Sequence, residues 1–187
     1  MMESKDTLLM IIDVQEKLVQ SIKNKQDILF NIKQLIDAAN LLSVSKFFSE
    51  QNPSKLGPTV SLLSKSAKDI MASKMSFSCI KCGELQRILL DRNIRNLLLC
   101  GIETHVCVQQ TALDFLNQGF NVHIAIDGVG SRNDLDHQTA LKRIESAGGI
   151  ITTTESIIFE WCRNADRKEF RRISEIIKRP KPDSLKK

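Results

Sequence analysis

No apolar run in this 187-residue chain approaches the ~20 residues needed to cross a bilayer. The early apolar stretch, Leu8 to Ile12, is closed by Asp13, and it is too short for a secretory leader and lacks a small-residue cleavage site. The expectation is a cytoplasmic protein with no membrane partner. Internal repeats are absent, and apart from the basic tail there is no low-complexity segment, which excludes solenoid arrays. Histidine is scarce: there are three, and none precedes His105. The five cysteines are odd in number and irregularly spaced, so reduced thiols are expected rather than a disulfide scaffold. Charge of one sign is also thin outside the C-terminus. The net charge is +5, but the last ten residues, "KRPKPDSLKK", hold +4 of it. A basic tail from about residue 178, frayed and solvated, accounts for the pI, and a nucleic-acid partner is not expected.

What is present is ordinary for a globular domain. The hydrophobic share is 42% and the charged share 26%, and the length suits one domain with a single core over residues 1–187. Apolar and polar runs alternate between two periods. "TLLMIID" (7–13), "VSKFFSE" (44–50), "DIMAS" (69–73), "IRNLLLC" (94–100), "NVHIAID" (121–127) and "IITT" (150–153) predict strands. Between them, residues 27–42 carry apolar side chains at helical spacing, with Asp27 as N-cap. Helices are likewise predicted over 83–93, over 104–118 closed by Gly119, and over 134–147 stopped by Gly148 and Gly149. "ESIIFEWC" and "RKEFRRISEIIK" predict terminal helices, with Ile157, Ile158, Phe159 and Trp161 as a contact surface between subunits. "QNPSKLGPTV" (51–60) is a loop by its prolines and glycine. Strands alternating with helices argue an α/β fold, with a parallel sheet covered on both faces.

Ligands of such a sheet bind beyond the carboxyl ends of its strands. The residues that end or follow the predicted strands are Asp13, Glu50, Lys74, Cys107 and Asp127. If Thr104 caps the helix that follows the fourth strand, Cys107 lies in its first turn, near unpaired N–H groups and the positive end of the helix dipole. That position lowers a thiol's pKa, and Lys74 nearby would lower it further. Periodicity alone favours the other reading, a small buried hydrophobe, because buried thiols are common. Asp13 could be a turn residue, or a partly desolvated carboxylate suited to carrying a proton.

Asp13, Lys74 and Cys107, in this order, resemble the catalytic residues of the isochorismatase-like cysteine hydrolases. The segments "LLMIIDVQEKL", "KMSFSCI" and "LLLCGIETHVCVQQTALDFLNQGFNVHIAIDGVGSR" carry the likeness, which extends from residue 7 to about 176. "SEQNPSKLGPTV" looks like the subgroup of isochorismatase domain-containing proteins. The resemblance implies a three-layer α/β/α, Rossmann-like fold with a six-stranded parallel sheet. It implies a Cys-Asp-Lys triad in which Cys107 attacks a carbonyl carbon, Asp13 moves the thiol proton to the leaving nitrogen and Lys74 supports the thiolate. It also implies a cis peptide at Ile102–Glu103, with the backbone N–H groups of Glu103 and Cys107 holding an oxyanion. Members usually form homo-oligomers. The family's nicotinamidases hold a metal through an Asp-x-His pair and a later histidine after the second strand; "SEQNPSKLG" has no histidine, so neither metal nor cofactor is expected. Isochorismate cleavage itself is disfavoured, because a vinyl ether needs an acid rather than a thiol nucleophile; acyl transfer at a C–N bond fits better.

The expected function is therefore metal-independent hydrolysis of a small-molecule amide, imide or related C–N bond. Gln15, Glu50, Phe77 and Cys79 are expected to line the substrate pocket. "CIKC" (79–82) lacks the further ligands of a zinc site and the context of a thioredoxin motif, so it is assigned to packing at a helix entry. His105 lies two residues from Cys107 and so on another side of a helix, and is expected to make a surface or subunit contact. The alternative of another class is a non-catalytic binding protein that uses its basic tail on RNA or a protein partner.

Overall fold

The computed structural model describes residues 1–63 and 69–181. Residues 182–187, most of the expected basic tail, lie outside the described residues. The strands are β1 (Thr7–Ile12), β2 (Ser45–Gln51), β3 (Ile70–Lys74), β4 (Asn96–Ile102), β5 (Asn121–Gly130) and β6 (Ile150–Thr152). They pair in parallel throughout, in the order β3-β2-β1-β4-β5-β6. The helices are α1 (Glu16–Val19), α2 (Lys25–Leu42), α3 (Pro53–Leu56), α4 (Gly83–Asp91), α5 (Gln109–Asn117), α6 (Asp134–Ser146), α7 (Thr154–Cys162) and α8 (Phe170–Ile177). This is the three-layer α/β/α architecture.

Both faces of the sheet are covered, which is why β1 and β4 are buried at every position. The side chains of β1 alternate between two cores. Leu9 and Ile11 pack with Ile32 and Leu35 of α2, Ile157, Ile158 and Trp161 of α7, and Ile173 of α8. Leu8, Met10 and Ile12 pack with Leu85 of α4, Ala112 and Phe115 of α5, and Ile144 of α6. The chain runs from β1 outward to β3, returns to the centre for β4, and runs outward again to β6. The order therefore reverses between β1 and β4, and their carboxyl ends form the crevice where such sheets bind ligands.

Several local expectations are corrected. Helix α2 starts three residues early, with Asn24 rather than Asp27 at the N-cap position and Asp27 inside the first turn, where its charge favours the helix dipole. Strand β5 continues past Asp127 to Gly130. The Asp127 carboxylate is taken by the N–H and hydroxyl of Thr154, both at 2.9 Å, so it braces the start of α7. The apolar cluster of α7 faces inward. Ile157, Ile158 and Trp161 occupy one side of the helix and are buried beneath α2, whereas Phe159, on the opposite side, is 40% exposed. The expected subunit contact is therefore mostly core.

One glycine fixes how closely β4 approaches β1. Gly101 has φ +125, and a Cβ there would collide with the backbone of Ile12. Asp13 follows Ile12 directly, so this approach sets the position of the first candidate catalytic residue. Gly101→Ala is expected to destabilise the fold by about 3 kcal/mol or more, combining a positive φ with a backbone collision. Denaturant unfolding checks this; a loss below about 1 kcal/mol would show that the two strands can separate cheaply.

Candidate active site

Asp13 adopts φ +50, in the left-handed region that aspartate tolerates better than most residues. Its N–H donates to the carbonyl of Ser49 at 3.1 Å, and its own carbonyl accepts the N–H of Gln15 at 2.8 Å. The turn is thereby pinned, and the carboxylate is fully buried. The Ser49 hydroxyl donates to Oδ1 at 2.7 Å, and Lys74 Nζ donates to Oδ2 at 2.6 Å. Lys74 is the last residue of β3. Its ammonium also donates to Gln51 Oε1 and the Phe77 carbonyl, both at 2.9 Å, and to the Ser76 carbonyl at 3.3 Å. Burial acts to lower the lysine pKa, but the Asp13 carboxylate beside it outweighs burial and holds it above the ordinary value. The lysine is therefore a cation in the resting site.

Cys107 lies in a wide π turn, Thr104–Val108, that precedes α5. Its thiol is close enough to both Asp13 and Lys74 for each to act on its proton. The structure thus gathers Asp13, Lys74 and Cys107 from β1, β3 and the end of β4. The expected acidic thiol is not what results. Burial pushes the Cys107 pKa up, the Asp13 carboxylate adds to that, and Lys74 only partly opposes it. The cause is tertiary. The thiol is packed in the core with Cys79, Val108 and Ala112, beside a carboxylate as well as an ammonium. Thr104 is not an N-cap either. Its hydroxyl pairs with His137 Nδ1 at 3.0 Å, while the N–H groups of Val106 and Val108 both bond the Glu103 carbonyl. The resting nucleophile candidate is a neutral thiol beside a buried ion pair.

The flanking residues fall into place individually. The Ile102–Glu103 peptide is cis. Glu103 is buried, and its Oε1 accepts the N–H of Arg132 at 3.0 Å and its Nε at 2.9 Å, which ties the loop before the π turn to the segment after β5. Gln15 is buried, and its amide is spent on the backbone: Nε2 donates to the carbonyls of Gln51 and Gly57, and Oε1 accepts the Gln51 N–H. It shapes the wall rather than offering a free group. Phe77 is 50% exposed while its carbonyl holds Lys74. Cys79 is buried, its backbone N–H donates to Thr111 Oγ1 at 3.1 Å, and a hydrogen bond with Cys82 raises its own thiol pKa and lowers that of Cys82. His105 turns to Ser131, Nδ1 to Oγ at 3.0 Å, away from any pairing with Cys107.

Sequence reasoning missed Ser49 and Gln51. The signal was the period of two along β2. Phe47, Ser49 and Gln51 share the face that carries Cys107, whereas Phe48 and Glu50 share the other. Glu50 is accordingly out of phase with Cys107, and its Oε1 accepts from the N–H and hydroxyl of Thr59 at 2.8 and 2.7 Å. Among the described residues, no group of three or more His, Cys, Asp or Glu side chains is placed to hold a metal ion, and no helix is long and apolar enough to cross a membrane.

Fold and comparison together define the class as a three-layer α/β/α hydrolase of Rossmann-like topology. The isochorismatase domain model matches residues 7–156, and the chain belongs to that family. It is 39% identical over 180 residues to isochorismatase domain-containing protein 2A of Mus musculus, covering 95% of this chain and 85% of that protein. The solved structure of MAR1 ribonuclease from Caenorhabditis elegans superposes with a TM-score of 0.88 at 36% identity, covering 97% of this chain and 94% of that one. The YcaC protein of Escherichia coli, described as an octameric hydrolase of unknown specificity, shares the fold, with a TM-score of 0.81 at 20% identity over 88% of this chain and 83% of that one.

The buried thiols set a pH dependence. Burial raises the pKa of Cys100 as it does that of Cys107. Above about pH 9 the unfolded chain has lost these protons and the folded chain keeps them, so folding binds protons and stability falls as pH rises. Urea unfolding at pH 8 and pH 10 is expected to show that loss. Cys100→Ala should make the loss smaller by about 1.4 kcal/mol for each pH unit above 9; an unchanged slope would contradict the assignment.

Proposed function

We propose that the protein is a cysteine hydrolase that cleaves the C–N bond of a small amide, imide or related compound. Asp13, Lys74 and Cys107 act as its triad. The observation that carries this reading is the buried Asp13–Lys74 pair at 2.6 Å with the Cys107 thiol in reach of both. A neutral thiol is a weak nucleophile until a base takes its proton. Asp13 is that base. As Cys107 Sγ attacks the carbonyl carbon, the proton passes to Asp13, and Lys74 compensates the negative charge that shifts to sulfur. The backbone N–H groups of Glu103 and Cys107 receive the carbonyl oxygen as it becomes an oxyanion. Asp13 then hands the proton to the leaving nitrogen, the C–N bond breaks and a thioester remains. Water attacks the thioester, gives a proton to Asp13 and releases the acid; the thiol recovers its proton. The balance is amide plus water to acid plus amine. The protein supplies its own nucleophile, so the scheme calls on no metal or cofactor.

A free catalytic thiol fits the reducing cytoplasm. The protein acts as a homo-oligomer, in keeping with the octameric E. coli relative of the same fold. Light scattering that reports a monomer at assay concentration would remove this part of the reading.

A second reading has two observations in its favour. The last ten residues carry +4, and a relative at 36% identity is described as a ribonuclease. On that reading the protein binds RNA or a protein partner through its tail and the triad is idle. The two separate cleanly by mutation. In a screen of small amides, ureas and nicotinamide, Cys107→Ser is expected to lower the rate by about a thousandfold or more, with deletion of residues 178–187 leaving it intact. Hydrolysis that survives in Cys107→Ser sinks the cysteine mechanism. A cellular or binding phenotype that follows the tail and ignores Cys107 supports the second reading.

A further inference from the structure

The Lys74 ammonium has three protons, and four oxygens compete for them. Asp13 Oδ2 is at 2.6 Å, Gln51 Oε1 and the Phe77 carbonyl at 2.9 Å, and the Ser76 carbonyl at 3.3 Å. Only the first carries charge. Of the three neutral acceptors, two are backbone carbonyls of the segment that follows β3, and the third is a side chain from β2. That residue is itself held at every other polar position, side chain and backbone. Gln51 Nε2 donates to the Met75 carbonyl at 2.9 Å, its backbone N–H donates to Gln15 Oε1 at 2.7 Å, and its carbonyl accepts Gln15 Nε2 at 3.0 Å. The amide has one workable orientation. Flipped, it would set its NH2 against the ammonium and its oxygen against the Met75 carbonyl, both repulsive. The register places Gln51 directly beside Lys74 on the neighbouring strand.

We propose that Gln51 is a positioning residue for Lys74: its neutral amide oxygen fixes the ammonium between Asp13 and Cys107 without discharging it. The inference rests on the cysteine-hydrolase reading of the site. Neutrality is the property that matters. At rest, Lys74 and Asp13 cancel. Once the thiol proton has moved to Asp13, the site holds one ammonium and one thiolate, which again cancel. A carboxylate in place of the Gln51 amide would grip the same ammonium proton but leave both states with a net charge of −1, so that losing the thiol proton to solvent would add to a charge already negative. The thiolate would then form less readily. Strand β2 thus supports both members of the ion pair from one face, Ser49 on Asp13 and Gln51 on Lys74.

The test reads the thiol itself, in the full-length chain. Alkylation of Cys107 by iodoacetamide is followed between pH 6 and pH 10 by peptide mass spectrometry, with a thermal melt recorded for each variant. Gln51→Glu is expected to move the rising part of the rate profile upward by about one pH unit, which is roughly tenfold slower alkylation at any given pH there. Gln51→Met keeps the length of the side chain, removes the acceptor and adds no charge. It is expected to slow alkylation by about fivefold, and it reads the proposal even if the glutamate variant does not fold. Profiles for both variants that superpose on wild type, with lowered melting temperatures, would make Gln51 a structural residue only and overturn the proposal; if only Gln51→Met folds, its profile alone decides in the same way. A wild-type Cys107 that alkylates no faster than the buried Cys100 would remove the hydrolase reading, and the inference with it, and this is distinguished by the wild-type arm alone.

Discussion

The Asp13–Lys74 ion pair is the constraint around which the rest is arranged. Both side chains are almost wholly removed from water, at 0% and 2% exposure, and 2.6 Å apart. Taking two charges out of water is unfavourable, and their attraction offsets that only when the remaining lone pairs and protons also find partners. The chain supplies those partners from three directions. Ser49 takes the second carboxylate oxygen, and Gln51 and the Phe77 carbonyl take the remaining ammonium protons. Each support depends on the parallel register of β1, β2 and β3, so the sheet order is a condition of the pair and not merely its setting. Removing either charge would strand the other in the core.

The thiol is governed by the same enclosure. Cys107 sits where apolar packing and the Asp13 carboxylate both disfavour a thiolate. A permanently ionised cysteine would add a third charge to a site whose two charges already cancel. A neutral thiol keeps the resting site balanced, with the carboxylate and the ammonium already beside it. The reversal of strand order between β1 and β4 makes this possible, because it opens the crevice at the carboxyl ends of those strands. Gly101 lets those two strands come close enough for Asp13 and the π turn to share it.

The fold was largely legible. Buried parallel strands such as "LLLC" and "LLMII" announce themselves by continuous apolar character, and α6 by its acidic first turn and the glycines that stop it. The errors have local causes. The segment from Thr104 has helical composition, but its first turn is wide because Thr104 is drawn to His137 and two N–H groups converge on Glu103; neither partner is visible from spacing. The apolar side chains of α7 read equally well as an outer surface, since hydrophobicity does not say which body covers it; α2 does. Glu50 drew attention as an acid at a strand end. Charge is a conspicuous signal, and the quieter alternation along β2 placed it on the wrong face.

The sequence by itself determined the elements, their order and the three candidate side chains, because periodicity, strand-end position and the resemblance of Asp13, Lys74 and Cys107 to a known pattern are properties of one line of residues. Only the tertiary structure decided the electrostatic state of the thiol and the identity of the neutral groups that hold the ion pair. Those depend on burial and on hydrogen bonds between strands far apart in the chain: Ser49 to Asp13 across 36 positions and Lys74 to Gln51 across 23. A serine or a glutamine on a buried strand carries no local mark of its partner. Its role appears only when the register brings a charge beside it.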